Sequence, residues 1–322
     1  MTSTQRPSVF VAVPVAPVLR AMLEERCIVT AHTESGSITP EALMHGISTA
    51  DGVLANPLIL FPAHVLEAAP RLRVIANIGV GYDNVDIHDA RARGIAVANT
   101  PGVLSDAVAD CVMGMMISVA REFTRCANIV RDGSWGKPGT VLPLGTDLKG
   151  KALALVGFGR IGREVAARAL AFKMRVLFFD PYVEESVVGA QRSDSLDALL
   201  CQADFVSLHV DLNETTRSFF GAAQFAAMKP GAFLINAARG GVVDQGALCA
   251  ALADGSLRGA ALDVLATEPP RRDDPILACD NVFILPHIAS GTVETRQAMA
   301  ELAVSNLIAC LYGEPCDCVV NA

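Results

Sequence analysis

The chain lacks a basic stretch, a paired-cysteine framework and an apolar run of membrane length, and each absence removes a class of function. Across 322 residues, 26 Lys and Arg face 34 Asp and Glu, a formal net charge of −8. The basic residues are also scattered, so no segment promises the positive field that a phosphate backbone requires, and no nucleic-acid partner is expected. Nine cysteines in a chain of this length do not make a disulfide scaffold. Cys27, Cys111, Cys126, Cys201, Cys249 and Cys279 each stand alone among apolar or helical neighbours, as reduced thiols do in a cytoplasmic protein. Cys310, Cys316 and Cys318 gather near the C-terminus, but without zinc spacing or a nearby histidine, so no metal is expected. The longest apolar helical stretch, Cys111 to Ala120, is too short to span a bilayer. Arg6 precedes an apolar stretch from Val9 to Leu19 that superficially resembles a secretion signal. Pro14 and Pro17 interrupt it, and a first buried strand is the better reading; no membrane association is expected.

What is present is an ordinary globular composition, 52% hydrophobic and 19% charged, in a chain long enough for two domains. Short apolar strands alternate with helical segments. The candidates are Val9–Val13, Gly52–Leu54, Val74–Ala76 and Ile95–Ala98, then Ala152–Val156, Val176–Phe179, Phe205–Leu208, Phe233–Asn236, Ala260–Val264 and Phe283–Leu285. Such alternation implies parallel sheets, and the strands are too many for one small domain. The spacing therefore predicts an α/β protein with two doubly wound units: a discontinuous outer domain of residues 1–100 and 288–322, and an inner domain of residues 101–287. Leu104 to Arg131 reads as one long crossover helix, started after Pro101-Gly102 and stopped by Asp132-Gly133. Its many apolar residues suggest burial between domains mixed with a subunit contact, hence a homodimer through the 104–131 region. A last helix from about Gly291 to Gly313 returns to the first domain.

The most informative stretch is KALALVGFGRIGREVAARALAFKMRVLFFD, residues 151 to 180. It reads as a strand, a glycine turn, a helix and a second strand ending in a carboxylate, the order of a dinucleotide site. Gly157 permits the tight turn, Gly159 lets the backbone approach a pyrophosphate, and Gly162 allows close helix packing. The helix from about Arg160 aims its amides and positive dipole end at the phosphates. Asp180, eighteen residues after Gly162, is placed to accept hydrogen bonds from a ribose 2′-hydroxyl. Against the additional phosphate of NADP it would repel by roughly 1 to 4 kcal/mol at about 4 Å. NAD is therefore the expected cofactor, with NADH preferred over NADPH.

A nicotinamide site also needs a proton donor that works near neutral pH, and histidine is the natural one. Six are present. His32, His45, His64 and His88 lie in polar or surface-like segments of the first domain, and His209 ends the strand FVSLH in a structural or cofactor-adjacent position. His287 directly follows a strand and Pro286, at the carboxyl edge where open α/β sheets bind ligands. Two other strands deliver Arg239, Asp263 and Glu268 to the same edge. Arg239 offers a fork of donors suited to a carboxylate and a neighbouring carbonyl oxygen. Glu268 is placed to accept the second ring hydrogen of His287 and favour its charged form.

With these residues in view, the chain resembles the D-isomer-specific 2-hydroxyacid dehydrogenase family over essentially its full length. The carriers are NIGVGYDNVD at 77–86, NTPGVLSDAVAD at 99–110, the GFGRIG turn, INAARGGVVDQGAL at 235–248, ALDVLATEPP at 261–270 and PHIASGT at 286–292. The resemblance implies a Rossmann cofactor domain and a flavodoxin-like substrate domain with the active site in a cleft between them. It implies Arg239 as the substrate-holding arginine, Glu268 as the partner carboxylate and His287 as the general acid/base. Backbone amides near Val80 and Gly81 would hold the substrate carboxylate, with Asn56 bordering the substrate. Arg160, Ile161, Asp180, Val210, Thr216, Ala237, Ala238 and Asp263 would line the cofactor with the three glycines, Asp263 reaching the nicotinamide carboxamide.

Departures from the family pattern are informative. Asp211 stands where proline is usual, and Ala289 where glycine is frequent. Formate dehydrogenases carry glutamine at the Glu268 position, phosphite dehydrogenases carry lysine at Val80, and phosphoglycerate dehydrogenases tend to present arginines at Asn77 and Asn56. The expected reaction is thus NADH-dependent reduction of a small 2-oxo acid, such as glyoxylate, hydroxypyruvate or pyruvate, to the D-2-hydroxy acid. The alternatives are an NAD(H)-sensing protein of the corepressor type and an enzyme resembling phosphoglycerate dehydrogenase. Trp135, the single tryptophan, is either plain packing or a contribution to a neighbouring subunit's site.

Overall fold

Residues 6–33, 36–184 and 188–322 are described by the computed structural model. They form two units, Met1–Leu104 with Thr292–Ala322, and Ser105–Gly291. Each crossing falls four residues beyond the expected 100/101 and 287/288 boundaries, because helices set them: one starts at Ser105 and another is capped by Thr292. Thr292 accepts the Thr295 amide in its side-chain oxygen, at 3.1 Å. Among the described residues, no helix is long and apolar enough to cross a membrane.

The first unit is built on strands β1 (Ser8–Val11), β2 (Ile28–Ala31), β3 (Gly52–Ala55), β4 (Val74–Asn77) and β5 (Ala96–Ala98). They pair in parallel in the order β2-β1-β3-β4-β5. Both faces of the central strands are covered. Phe10, Val53, Ala55 and Ile75 enter one apolar cluster while Val9, Val11, Leu54 and Val74 enter another, as the two-residue period requires. The final helix, Val293–Tyr312, supplies Val304, Leu307 and Leu311 to the second cluster and packs on β3 and β4.

The second unit carries β6 (Ala152–Val156), β7 (Arg175–Phe179), β8 (Ala190–Arg192), β9 (Phe205–Leu208), β10 (Ala232–Asn236), β11 (Leu257–Leu262) and β12 (Val282–Ile284). Their parallel order is β12-β11-β10-β9-β6-β7-β8. The chain leaves β6 toward β7 and returns on its other side with β9, so a topological switch point lies at the carboxyl ends of β6 and β9.

The single 104–131 helix is corrected to two, Ser105–Ala120 and Phe123–Arg131. Glu122 between them takes a left-handed backbone, φ 50°, which no helix continues through. The first is a core helix of its own unit, burying Val108, Val112, Met115 and Met116 and packing on β11 and on the helix Arg160–Ala171. An ion cluster joins those two helices: Arg168 donates to Asp110 at 2.6 Å, Asp106 at 2.8 Å and Glu164 at 2.8 Å. The second helix buries none of its residues.

Candidate active site

The glycine turn sits at the switch point. Gly157 follows β6 with φ 92°, and a Cβ there would meet the His209 carbonyl oxygen at 2.5 Å. Only glycine meets both conditions. Gly162 is equally close to the turn, with the Gly157 carbonyl 2.6 Å from where its Cβ would stand. Gly159 differs: it caps the helix Arg160–Ala171, and nothing lies within 4 Å of the position its Cβ would take. Open space there, beside the free amides of a helix's first turn, fits a pyrophosphate.

Asp180 directly follows β7 and is 9% exposed. Its Oδ2 accepts the Phe158 amide at 2.7 Å and its Oδ1 the Tyr182 amide at 2.8 Å. The carboxylate thus ties the glycine turn to the next strand, and each oxygen retains a lone pair for a ribose hydroxyl. Val210 borders the same turn, 3.1 Å from the would-be Gly157 Cβ. Arg160 is exposed and Ile161 half-buried at the start of the helix. Thr216 is more committed: its hydroxyl donates to the Asp211 carbonyl at 2.5 Å and accepts the Asn213 amide at 2.8 Å. The residues present fit a dinucleotide, with the glycine turn for the pyrophosphate and Asp180 for the ribose.

At the neighbouring strand ends, β10, β11 and β12 deliver Arg239, Glu268 and His287. His287 Nδ1 and Glu268 Oε2 are 2.7 Å apart, with their side chains 37% and 25% exposed. Glu268 Oε1 accepts the Leu265 amide at 2.9 Å. Burial alone would raise the pKa of Glu268, but the hydrogen bonds from His287 and Leu265 and the charges of His287 and Arg239 hold it below the usual carboxylate range. Glu268 is joined to Pro269 by a cis peptide bond.

His287 itself has a left-handed backbone, φ 55°, rare for a residue with a Cβ. Asp263 at the end of β11 holds it there. Its carbonyl accepts the His287 amide at 2.8 Å, and its carboxylate oxygens accept the Ile288 and Ala289 amides at 2.7 and 2.8 Å. Burial pushes the Asp263 pKa up despite these donors. The expected contact of Asp263 is a nicotinamide carboxamide; here both its oxygens are engaged by the turn that carries His287. Ala289 supplies one of those amides and is buried.

Arg239 turns Nη1 to the Ala238 carbonyl at 2.8 Å, and Ala237 and Ala238 are half-buried beside it. Asn236, which sequence reasoning missed, anchors this turn through its side chain. Its only sequence signal is a polar residue closing an apolar strand. His209 retains some surface, yet its ring is set deep enough that lost hydration pushes its pKa down to about 4. Its Nε2 lies 2.9 Å from Ser207 Oγ. A histidine kept neutral at physiological pH is poorly suited to act as a charged proton donor.

Asn56, Val80 and Gly81 belong to the first unit, at the carboxyl ends of β3 and β4. The Asn56 side chain accepts the Leu58 amide at 3.0 Å. The Val80 carbonyl accepts from Asn99 Nδ2 at 2.7 Å and the Gly81 carbonyl from Asn77 Nδ2 at 3.4 Å. With both carbonyls turned to asparagines, the two amides have no acceptor among the described residues. No cluster of three His, Cys, Asp or Glu among the described residues could hold a metal ion.

Residues 113–289 match the D-isomer specific 2-hydroxyacid dehydrogenase, NAD binding domain. The chain is 42% identical to the glyoxylate reductase of Thermofilum pendens, over 98% of this chain and 95% of that one. The crystal structure of the TT0316 protein from Thermus thermophilus superposes with a TM-score of 0.88 at 40% identity, covering 97% of this chain and 99% of that one. An NADPH-dependent glyoxylate/hydroxypyruvate reductase from Sinorhizobium meliloti, in complex with NADP and malonate, gives 0.83 at 33% identity, covering 95% and 93%. Two parallel-sheet units, a dinucleotide turn at the switch point and likeness over nearly the whole chain lead to one conclusion: the chain belongs to the D-isomer-specific 2-hydroxyacid dehydrogenase family, and is an oxidoreductase that works on 2-oxo and 2-hydroxy acids.

Proposed function

We propose that the protein reduces a small unphosphorylated 2-oxo acid, with glyoxylate, hydroxypyruvate and pyruvate as the class, to the D-2-hydroxy acid, using NADH in preference to NADPH. The observation that carries this reading is the 2.7 Å pairing of Glu268 with His287, beside Arg239 on adjacent strand ends of the unit that holds the glycine turn. Bound at that turn, the nicotinamide cofactor supplies the hydride.

Arg239 holds the carboxylate and the carbonyl oxygen of the substrate. Charged His287, its Nδ1 hydrogen accepted by Glu268, gives the Nε2 proton to the carbonyl oxygen as C2 becomes tetrahedral. Glu268 stabilises the charged ring beforehand and keeps Nε2 directed outward. Asp263 sets the turn that presents the ring. The free amides of Val80 and Gly81 are assigned to the substrate carboxylate, and Asn56 to the substrate's border. Neither Asn56 nor Asn77 adds a positive charge there, which favours a substrate without a phosphate. Asp180 favours NADH by repelling an additional phosphate.

A second copy of this chain is the proposed partner. The Phe123–Arg131 helix and the segment after it leave Phe123, Val130, Trp135, Val141, Leu142 and Leu144 exposed, an apolar set that suits burial in an interface.

The test is a panel of 2-oxo acids assayed with NADH and with NADPH. Turnover above about 1 s⁻¹ on glyoxylate, hydroxypyruvate or pyruvate with NADH is expected, within the ordinary range for enzymes. Tight NADH binding with no turnover across the panel would favour a sensor instead.

A further inference from the structure

Asn236 closes β10 with its side chain folded onto the residues that follow. Its Oδ1 accepts the Ala238 amide at 3.0 Å, and its Nδ2 donates to the Arg239 carbonyl at 3.0 Å. One carboxamide therefore uses its acceptor two residues along and its donor three residues along, clamping both sides of the turn before Arg239. The residue is 1% exposed, so the carboxamide makes both bonds from the interior of the unit. The clamp stands on fixed ground, because the Asn236 carbonyl accepts the Asp263 amide at 2.9 Å across the β10–β11 ladder.

The other end of the turn is equally constrained. A Cβ on Gly240 would overlap the Leu265 carbonyl, so the backbone after Arg239 lies directly against the loop of Glu268. The Leu265 amide in that loop donates to Glu268 Oε1. Arg239 is thus placed relative to Glu268 by backbone contact on one side and by Asn236 on the other. No other side chain of this shape does both tasks. Aspartate would set an oxygen against the Arg239 carbonyl, and leucine would leave the Ala238 amide unpaired and the Arg239 carbonyl with only the Val242 amide, at 3.3 Å.

We propose that Asn236 is a positioning residue for Arg239, fixing the guanidinium for the substrate carboxylate without touching substrate. The proposal rests on Arg239 being the substrate-holding arginine. The experiment measures kcat and KM for glyoxylate, and NADH affinity by fluorescence, in Asn236→Asp and Asn236→Ser, each also in an Arg239→Ala background. In the wild-type background KM should rise roughly tenfold or more, with kcat changing less and NADH affinity retained. In the Arg239→Ala background the same substitutions should change kcat/KM by no more than about twofold, since residues acting as one unit are not additive. Asn236→Ser fits the space should Asn236→Asp fail to fold. An unchanged KM in the folded variants, or losses that multiply in the double variants, would overturn the proposal. A normal KM in Arg239→Ala alone would instead strike the parent reading, and the clamp's purpose with it.

Discussion

Glu268 bridges two groups at once, the His287 ring at 2.7 Å through Oε2 and the Leu265 amide at 2.9 Å through Oε1. The backbone bond aims the carboxylate and the ring bond uses it. Because its pKa is held below the ordinary range, Glu268 stays ionised wherever the enzyme is expected to work. Its contribution to stability is present above the ordinary carboxylate pKa and is lost as pH falls through the lowered one. Glu268→Gln keeps the shape and removes the charge. The expected result is a pH profile of reductase kcat/KM whose alkaline fall begins at lower pH. An unmoved profile would show that the charge does not support the proton donor.

Asp180 is tied to the amides of Phe158 and Tyr182, so its removal has two separable effects. Asp180→Ala should shrink the preference for NADH over NADPH by roughly tenfold or more, as repulsion of about 1 to 4 kcal/mol is removed. It should also lower stability by roughly 1 to 3 kcal/mol, because the buried Phe158 amide loses its acceptor. Cofactor kinetics and thermal melting read the two independently. Lost stability with an unchanged cofactor ratio would make Asp180 a structural residue only.

Most of the architecture was legible because the central strands are apolar runs buried on both faces. Ala152–Val156 and Phe205–Leu208 have every residue buried. The strands that went unread are edges. β2 has no fully buried residue, and β8 is three residues long with only Ala190 buried. Their pairing is decided by the neighbouring strand rather than by their own pattern. The break at Glu122 was hidden for a related reason: its neighbours are ordinary helix formers and no glycine or proline marks the left-handed residue.

Glu268, His287 and Arg239, the residues proposed for the acid/base pair and the substrate, are readable as polar residues at strand ends. Asn236 is not, since nothing in INAARGG distinguishes a side chain turned to its own backbone from one turned to solvent. The commitment of Asp263 to the Ile288 and Ala289 amides was hidden likewise, for those residues lie far along the chain and meet it only through the β11–β12 pairing.

Arg168 supplies a stability prediction. It gathers Asp106, Asp110 and Glu164, and its removal leaves three carboxylates facing one another. Arg168→Met preserves much of the stem's packing, so the loss reads mainly the charge cluster. Thermal or urea unfolding should show a loss of at most about 1 kcal/mol, smaller at high salt because Asp106 and Asp110 are largely exposed. A loss independent of salt would assign the effect to packing.

The central claim, that His287 donates the proton, is tested most directly by His287→Ala in steady-state reduction of glyoxylate with NADH affinity measured alongside. The account predicts a kcat lower by roughly 10² to 10⁴, the usual worth of a positioned acid/base, with NADH affinity retained. A kcat close to that of the unaltered enzyme would contradict it.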